Sequence, residues 1–386
     1  MAGSETMSQR TESTGRQTRS VTLFLCGDVM TGRGIDQILP HPGEPQLFEP
    51  YMRSALGYVE LAERVSGTIA RPVDFAYIWD DALATLDCVR PDVRIVNLET
   101  AVTAAGDAWP GKRIHYRMHP GNVPCLTSAK IDCCVLANNH VMDWGRSGLA
   151  ETLDTLHRAG MRTAGAGRDA VEAASPAVIE CPGGNRVLVF AFGSKNAGVP
   201  GNWAAAKDHA GVNTIDSLSA RAADAIATQV QAVKRDGDTV VASIHWGGNW
   251  NYEVSPAERA FAHRLIEAGG VDVVHGHSSH HPRAIEIHRG KVILYGCGDF
   301  LNDYEGIGGY ESYRPDLCLM YLPTLDATTG KVVSFGLVPM QIRRFRLTRP
   351  RHDDACWLGQ RLNREGQRFG TRVERLADDS FRLRWD

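Results

Sequence analysis

Short apolar runs that end in an acidic, amide or imidazole side chain alternate along this chain with stretches of helical period. VTLFLCGDVM (21–30), VRIVNLET (93–100) and IDCCVLANNH (131–140) read as buried strands that each deliver polar residues to a following loop. RVLVFAF (186–192), TVVASIHWG (239–247), VDVVHGHSSHH (271–281), KVILYGCGDF (291–300) and DLCLMYLPTLD (316–326) continue the series, and VVSFGLVPMQIRRFRL (332–347) closes it. Between them, DDALATLDCVR (80–90), SGLAETLDTLHRAG (147–160), LSARAADAIATQVQAVKRDG (218–237) and PAERAFAHRLIEAGG (256–270) carry apolar residues at the spacing of one helix face.

Strands alternating with helices predict an α/β core with mostly parallel strands. The last two strands are expected to pair antiparallel through the turn at 328–330 and to form a second sheet packed on the first. Residues 1–20 are polar and lack the apolar core of a signal peptide, so they are expected to be a disordered leader. Residues 21–386 are expected to form a single domain, with an insertion at about 40–76 and a C-terminal extension at about 340–386.

Composition narrows the function classes. The net charge of −3 over 386 residues offers no basic field for nucleic acid or anionic lipid, so neither is expected as a partner. No run approaches the ~20 apolar residues of a membrane-spanning helix, so no direct membrane insertion is expected. The nine cysteines are scattered through apolar runs without a CxxC spacing, which predicts buried free thiols and a cytoplasmic location.

The strand ends carry the chemistry. Asp28, Glu99, Asn139 with His140, His245, and His277 with His280 all fall where strands meet loops. In open α/β sheets such ends converge on one crevice. Carboxylate, amide oxygen and imidazole together suit Mn, Fe or Zn. Each piece alone has a plain structural reading, as a turn, a helix cap or a core histidine. Four imidazoles at 275, 277, 280 and 281 are harder to pack unless they bind something.

The order of these pieces resembles the calcineurin-like metallophosphoesterases. Within that superfamily it is most similar to the CapA/PgsA-like family of poly-γ-glutamate capsule biosynthesis. GDVMTGRG (27–34), VNLETAVT (96–103), ANNHVMDWGRSGLAETLDTLHRAGMRTAGAG (137–167), HWG (245–247), GHSSH (276–280) and YGCGDF (295–300) carry the likeness. It implies two mixed β-sheets packed face to face and flanked by helices, a four-layer sandwich. It also implies one or two divalent metal ions. Glu99 would bridge them, with Asp28 and His280 on one side and Asn139, His245 and His277 on the other. His140 would be the catalytic imidazole, with Asp143 orienting it. The pattern departs from the superfamily at Met30, where a histidine is usual, at Glu99 in place of Asp, and at Asp299 in place of Asn.

Arg33 is expected beside the chemistry as a clamp on a substrate carboxylate or phosphate. Trp246 and Asn249, in a Trp- and Gly-rich loop, and Arg117, in HYRMHP (115–120), are expected to touch substrate. IRRFRLTRPR (342–351) is expected to be a solvated face. The resemblance implies a metal-dependent hydrolase of a phosphoester or amide-type bond, attacked by metal-bound hydroxide. Its substrate would be anionic or peptide-like, and a homo-oligomer is left open. The alternatives are a metal-stabilised binding or assembly protein for an anionic polymer, and a tailoring amide hydrolase of a small metabolite.

Overall fold

The first apolar run becomes strand Ser20–Val29 (β1) in the computed structural model of the protein, which describes residues 19–386. The leader expected at 1–20 lies, through residue 18, outside the described residues. β1 is central to a ten-stranded sheet. On one side, Val93–Leu98 (β2), Cys133–Val135 (β3) and Arg162–Ala164 (β4) follow in parallel. Arg33–Ile38 (α1) and Leu56–Ser66 (α2) lie in the long connection after β1, and α2 falls within the insertion expected at 40–76. Asp81–Val89 (α3) and Gly145–Arg158 (α4) are among the helices that connect these strands, and they bury Ala82, Leu86, Leu149, Leu153 and Leu156 in the core.

The middle of the chain builds a seven-stranded second sheet. Arg186–Ser194 (β5), Thr239–His245 (β6), Val273–His277 (β7) and Lys291–Leu294 (β9) run parallel, with Ile285–His288 (β8) antiparallel beside β9. Ala220–Val233 (α5) and Pro256–Gly269 (α6) are the crossovers. α6 begins with a reciprocal capping box between Ser255 and Glu258, with Pro256 in its first turn, a combination that fixes where the helix starts.

Alternation along β5 shows how the layers stack. Val187, Val189 and Ala191 join the core shared with the first sheet. Leu188, Phe190 and Phe192 join a separate cluster with Ile226, Val230, Phe261 and Leu265 of α5 and α6. The two sheets therefore lie face to face with helices outside, the four-layer arrangement implied by the sequence likeness. Buried polar contacts cross between them, among them His275 Nε2 to the Cys26 carbonyl at 2.7 Å and Thr371 Oγ1 to the Ile285 carbonyl at 2.7 Å.

Two expectations about the strands are corrected. KVILYGCGDF is two strands, because the chain leaves the second sheet after Leu294 and enters the first as Asp299–Leu301 (β10), parallel to β1. Gly298 makes that crossing at φ 78°, a backbone region that favours glycine. The late antiparallel pair, Leu317–Asp326 (β11) and Val332–Arg343 (β12), forms as expected but not as a second sheet. β11 pairs with β1 on the side opposite β2 and so extends the first sheet.

The C-terminal segment adds His352–Gly366 (α7) and the hairpin Thr371–Arg375 (β13) and Phe381–Trp385 (β14), whose second strand pairs with β12. Leu358, Leu362, Phe381 and Leu383 are part of the main core. The expected solvated face at 342–351 is also corrected in part, since Ile342, Phe345 and Leu347 are buried in the core while the arginines between them are not. No helix among the described residues is long and apolar enough to cross a membrane. All nine cysteines are free and seven are buried.

Candidate metal centre and cleft

Two Cys-Gly-Asp tripeptides, Cys26–Asp28 and Cys297–Asp299, lie side by side where β1 meets β10. A Cβ on Gly27 would fall 1.6 Å from the Gly298 carbonyl oxygen, so this approach requires glycine. It sets Asp28 and Asp299 next to each other. Glu99, just past β2, is brought alongside by its backbone N–H bond to the Val29 carbonyl, at 3.0 Å. Carboxylate oxygens of Asp28, Glu99 and Asp299 lie within 4.8 Å of one another, and all three residues are buried.

Among the described residues, no lysine or arginine pairs with these three acids. Asn97 Nδ2 donates to Asp28 Oδ1 at 2.7 Å, while Asp28 Oδ2 is buried without any partner. Burial first, and Asp299 second, push Asp28 up to about 7. Burial, Asp28 and Asp299 push Glu99 well above the usual carboxylate range. Of the three, only Asp299 has an imidazole partner within 3 Å, His280. The buried carboxylates of Asp28 and Glu99 are costly without a counter-charge, and a cation removes that cost.

The second sheet supplies nitrogens opposite the acids. His275 Nε2 must carry its proton, because the Cys26 carbonyl only accepts. Its Nδ1 then accepts from Ser243, at 3.0 Å, and Ser243 Oγ accepts from His277 Nε2, at 2.8 Å. His277 Nδ1 is thereby left as a bare lone pair, 3.7 Å from Asp28 Oδ1 and 2.9 Å from His245 Nδ1. Asn139 Oδ1 accepts from His245 Nε2 at 3.1 Å, which leaves His245 Nδ1 bare as well. Burial holds both imidazoles well below their ordinary pKa, so they are neutral and able to ligate. Asp28, His245 and His277 form a second group with ligand atoms within 4.8 Å. The orphaned oxygen, the acid cluster and the facing nitrogens fit a divalent cation.

Asp28, rather than Glu99, is common to both groups, although Glu99 Oε1 also lies 3.9 Å from His245 Nε2. His280 is in neither group. Its Nδ1 donates to Asp299 Oδ1 at 2.9 Å, and its Nε2 accepts from Asn249 at 3.0 Å. Asp299, absent from the expected ligand set, takes the place beside Asp28. The repeated Cys-Gly-Asp is the signal that could have found it.

His140 stands at the wall, with Nε2 4.0 Å from Glu99 Oε1 and Nδ1 2.6 Å from Asp143 Oδ2. Burial lowers it to about 4, so it is neutral at pH 7. Burial alone would raise Asp143, but His140 and Lys112 hold it below its ordinary value. Tyr116 stacks on the His140 ring at 3.8 Å, and its backbone N–H donates to Asp143 at 2.7 Å. Lys112 bonds Asp143 and the Asn139 carbonyl. Neither Lys112 nor Tyr116 stands out in the sequence, because both lie in an irregular loop.

A cleft of about 380 Å³ opens above these groups, lined among others by Tyr116, His140, Asn249, Trp250, Tyr304 and Tyr310. Arg33 reaches it but is fully engaged, with Nη1 2.8 Å from Glu49, Nε 3.2 Å from Asp303 and a further bond to Tyr58. The expected clamp on substrate is thus an internal brace. Trp246 is corrected too. It is fully buried on the helix side of β6, with Nε1 donating to the Tyr295 carbonyl at 3.0 Å. Arg117 does not line the cleft, because its guanidinium lies 3.7 Å over the Trp144 ring.

A probable polyglutamine synthesis accessory protein of Mycobacterium tuberculosis is 50% identical over 360 residues, 93% of this chain and 94% of that protein. Capsule biosynthesis protein CapA of Bacillus anthracis is 26% identical over 303 residues, 76% of this chain and 64% of its own length. Among solved structures, a phosphatase of Mycoplasma pneumoniae superposes with a TM-score of 0.45 at 12% identity, over 84% of this chain and 95% of that one. Residues 22–304 match the family described as bacterial capsule synthesis protein PGA_cap, and the chain belongs to that family.

Proposed function

We propose that the protein is a metal-dependent hydrolase serving capsule-type polymer synthesis, acting on a phosphoester or amide-type bond of an anionic or peptide-like substrate. The observation that carries this reading is the buried acid trio facing two bare imidazole nitrogens at the floor of a cleft whose wall holds a neutral histidine. Asp28, Glu99, Asp299, His245 and His277 would hold the ion, with Asn139 beside them. A bound divalent cation supplies Lewis acidity there, polarising an oxygen and lowering the pKa of water. The protein's own groups do the rest. His140 Nε2 takes a proton from the attacking water or passes one to the leaving group, while Asp143 fixes its tautomer and Tyr116 its ring plane. The aromatic wall of Trp250, Tyr304 and Tyr310 excludes water and orients the substrate.

A second reading, a metal-stabilised binding protein without turnover, is favoured by Met30. The side chain there is buried and offers no imidazole where related phosphoesterases have one. The accessory role in the name of the M. tuberculosis relative points the same way. Elemental analysis of the purified chain, followed by assays with an aryl phosphate, an aryl phosphodiester and a γ-glutamyl amide in Mn²⁺, separates the two. Turnover that disappears in His140→Ala while the metal content is kept supports the hydrolase. A tightly held metal with no turnover of any of the three rejects it.

A further inference from the structure

Seven of the nine thiols are inert by position, since burial pushes each of them above its ordinary pKa. Two remain within reach of solvent, Cys88 on α3 and Cys356 on α7. Their surroundings differ. Cys356 Sγ lies 3.4 Å from His352 Nε2, one helical turn back. His352 Nδ1 is 3.0 and 3.2 Å from the two carboxylate oxygens of Asp379. Asp379 sits in the turn between β13 and β14, at φ 62°, and is held there by Arg375. Cys88 has no hydrogen-bonding partner among the described residues.

We propose that Cys356, His352 and Asp379 form a reactive thiol site, separate from the metal cleft, that exchanges with low-molecular-weight disulfides. The Asp379 carboxylate only accepts, so His352 carries its proton on Nδ1 and turns a bare Nε2 toward the thiol. Nε2 takes the thiol proton as Sγ attacks one sulfur of the disulfide. The new Sγ–S bond forms as the old S–S bond breaks, and the departing thiolate takes up the proton. The Cys356 sulfur is oxidised, the departing sulfur is reduced, and no other oxidant is needed. His352 is more than half exposed, so a small disulfide has access. The constellation spans two elements, the first two turns of α7 and the β13–β14 turn, and forms only when the hairpin is docked.

The test treats the full chain with oxidised glutathione and follows each cysteine by site-resolved mass spectrometry. Cys356 is expected to form the mixed disulfide about tenfold faster than Cys88. In His352→Gln and in Asp379→Asn, the Cys356 rate should fall toward that of Cys88, while Cys88 itself is unchanged. Silence of the seven buried cysteines reports that each variant is folded. If His352→Gln exposes them, Asp379→Asn alone decides. Equal rates at the two cysteines in the unmodified chain, or an unchanged Cys356 rate in a folded variant, overturn the proposal.

Discussion

Replacing Asp28 by Asn should stabilise the metal-free protein and destabilise the metal-bound one. The introduced amide would keep the bond from Asn97 through its oxygen, and its new N–H group would face Glu99 and Asp299 in place of the orphaned Oδ2. The size of the gain follows from linkage. Asp28 is raised from 3.8 to about 7, so the folded state retains a proton that the unfolded state has lost. The penalty is absent below pH 4, grows as pH rises through the interval, and is complete above pH 7. A displacement of that size corresponds to about 4 kcal/mol, an upper bound because Glu99 can share the proton. With metal at a hundredfold its Kd, the wild type instead gains roughly 3 kcal/mol that the variant gives up. Urea unfolding at pH 4 and pH 8, in EDTA and in Mn²⁺, measures all four combinations. Should Asp28→Asn be the weaker protein in EDTA at pH 8, the acids are not in conflict and the case for an ion between them fails.

Other substitutions check the remaining assignments. Arg33→Met removes the cation between buried Glu49 and Asp303 and should cost about 3–5 kcal/mol in urea unfolding. Near-native stability would instead free Arg33 for substrate. Trp246→Phe should lower stability by about 1–2 kcal/mol and leave KM unchanged, whereas Trp250→Ala should raise KM with little loss of stability; the reverse pattern would put Trp246 back in the cleft. Gly27→Ala, with a Cβ driven to 1.6 Å from the Gly298 oxygen, should destabilise by about 4 kcal/mol and abolish metal retention on gel filtration.

Much of the site is legible in the chain because its donors sit at strand ends, and a strand end is a position that hydrophobic patterning reveals. Asp28, Glu99, Asn139, His245 and His277 all stand out that way. The side to which a residue points is also readable, and Trp246 is where that reading matters. Period two on β6 puts Ser243 and His245 on one face, and Ile244 and Trp246 on the other, against α6. Proximity to His245 in sequence therefore gives Trp246 no place in the cleft. Arg33 and Arg117 could not be sorted, since nothing local to either reveals Glu49, Asp303 or Trp144 as its partner. The break in KVILYGCGDF is obscured because the apolar run continues while the chain changes sheets. His280 looks like a ligand by spacing alone, and only the approach of β10 to β1 shows Asp299 between it and the other acids.

The division of the donors between two sheets has a consequence for how the protein comes into being. The acids at the front belong to strands made first and to β10, while the imidazoles belong to the layer made in between. Neither half of the polypeptide can assemble the constellation without the other. During synthesis the group of Asp28, His245 and His277 cannot form until the chain has emerged past residue 277, and the acid trio cannot form until it has passed residue 299.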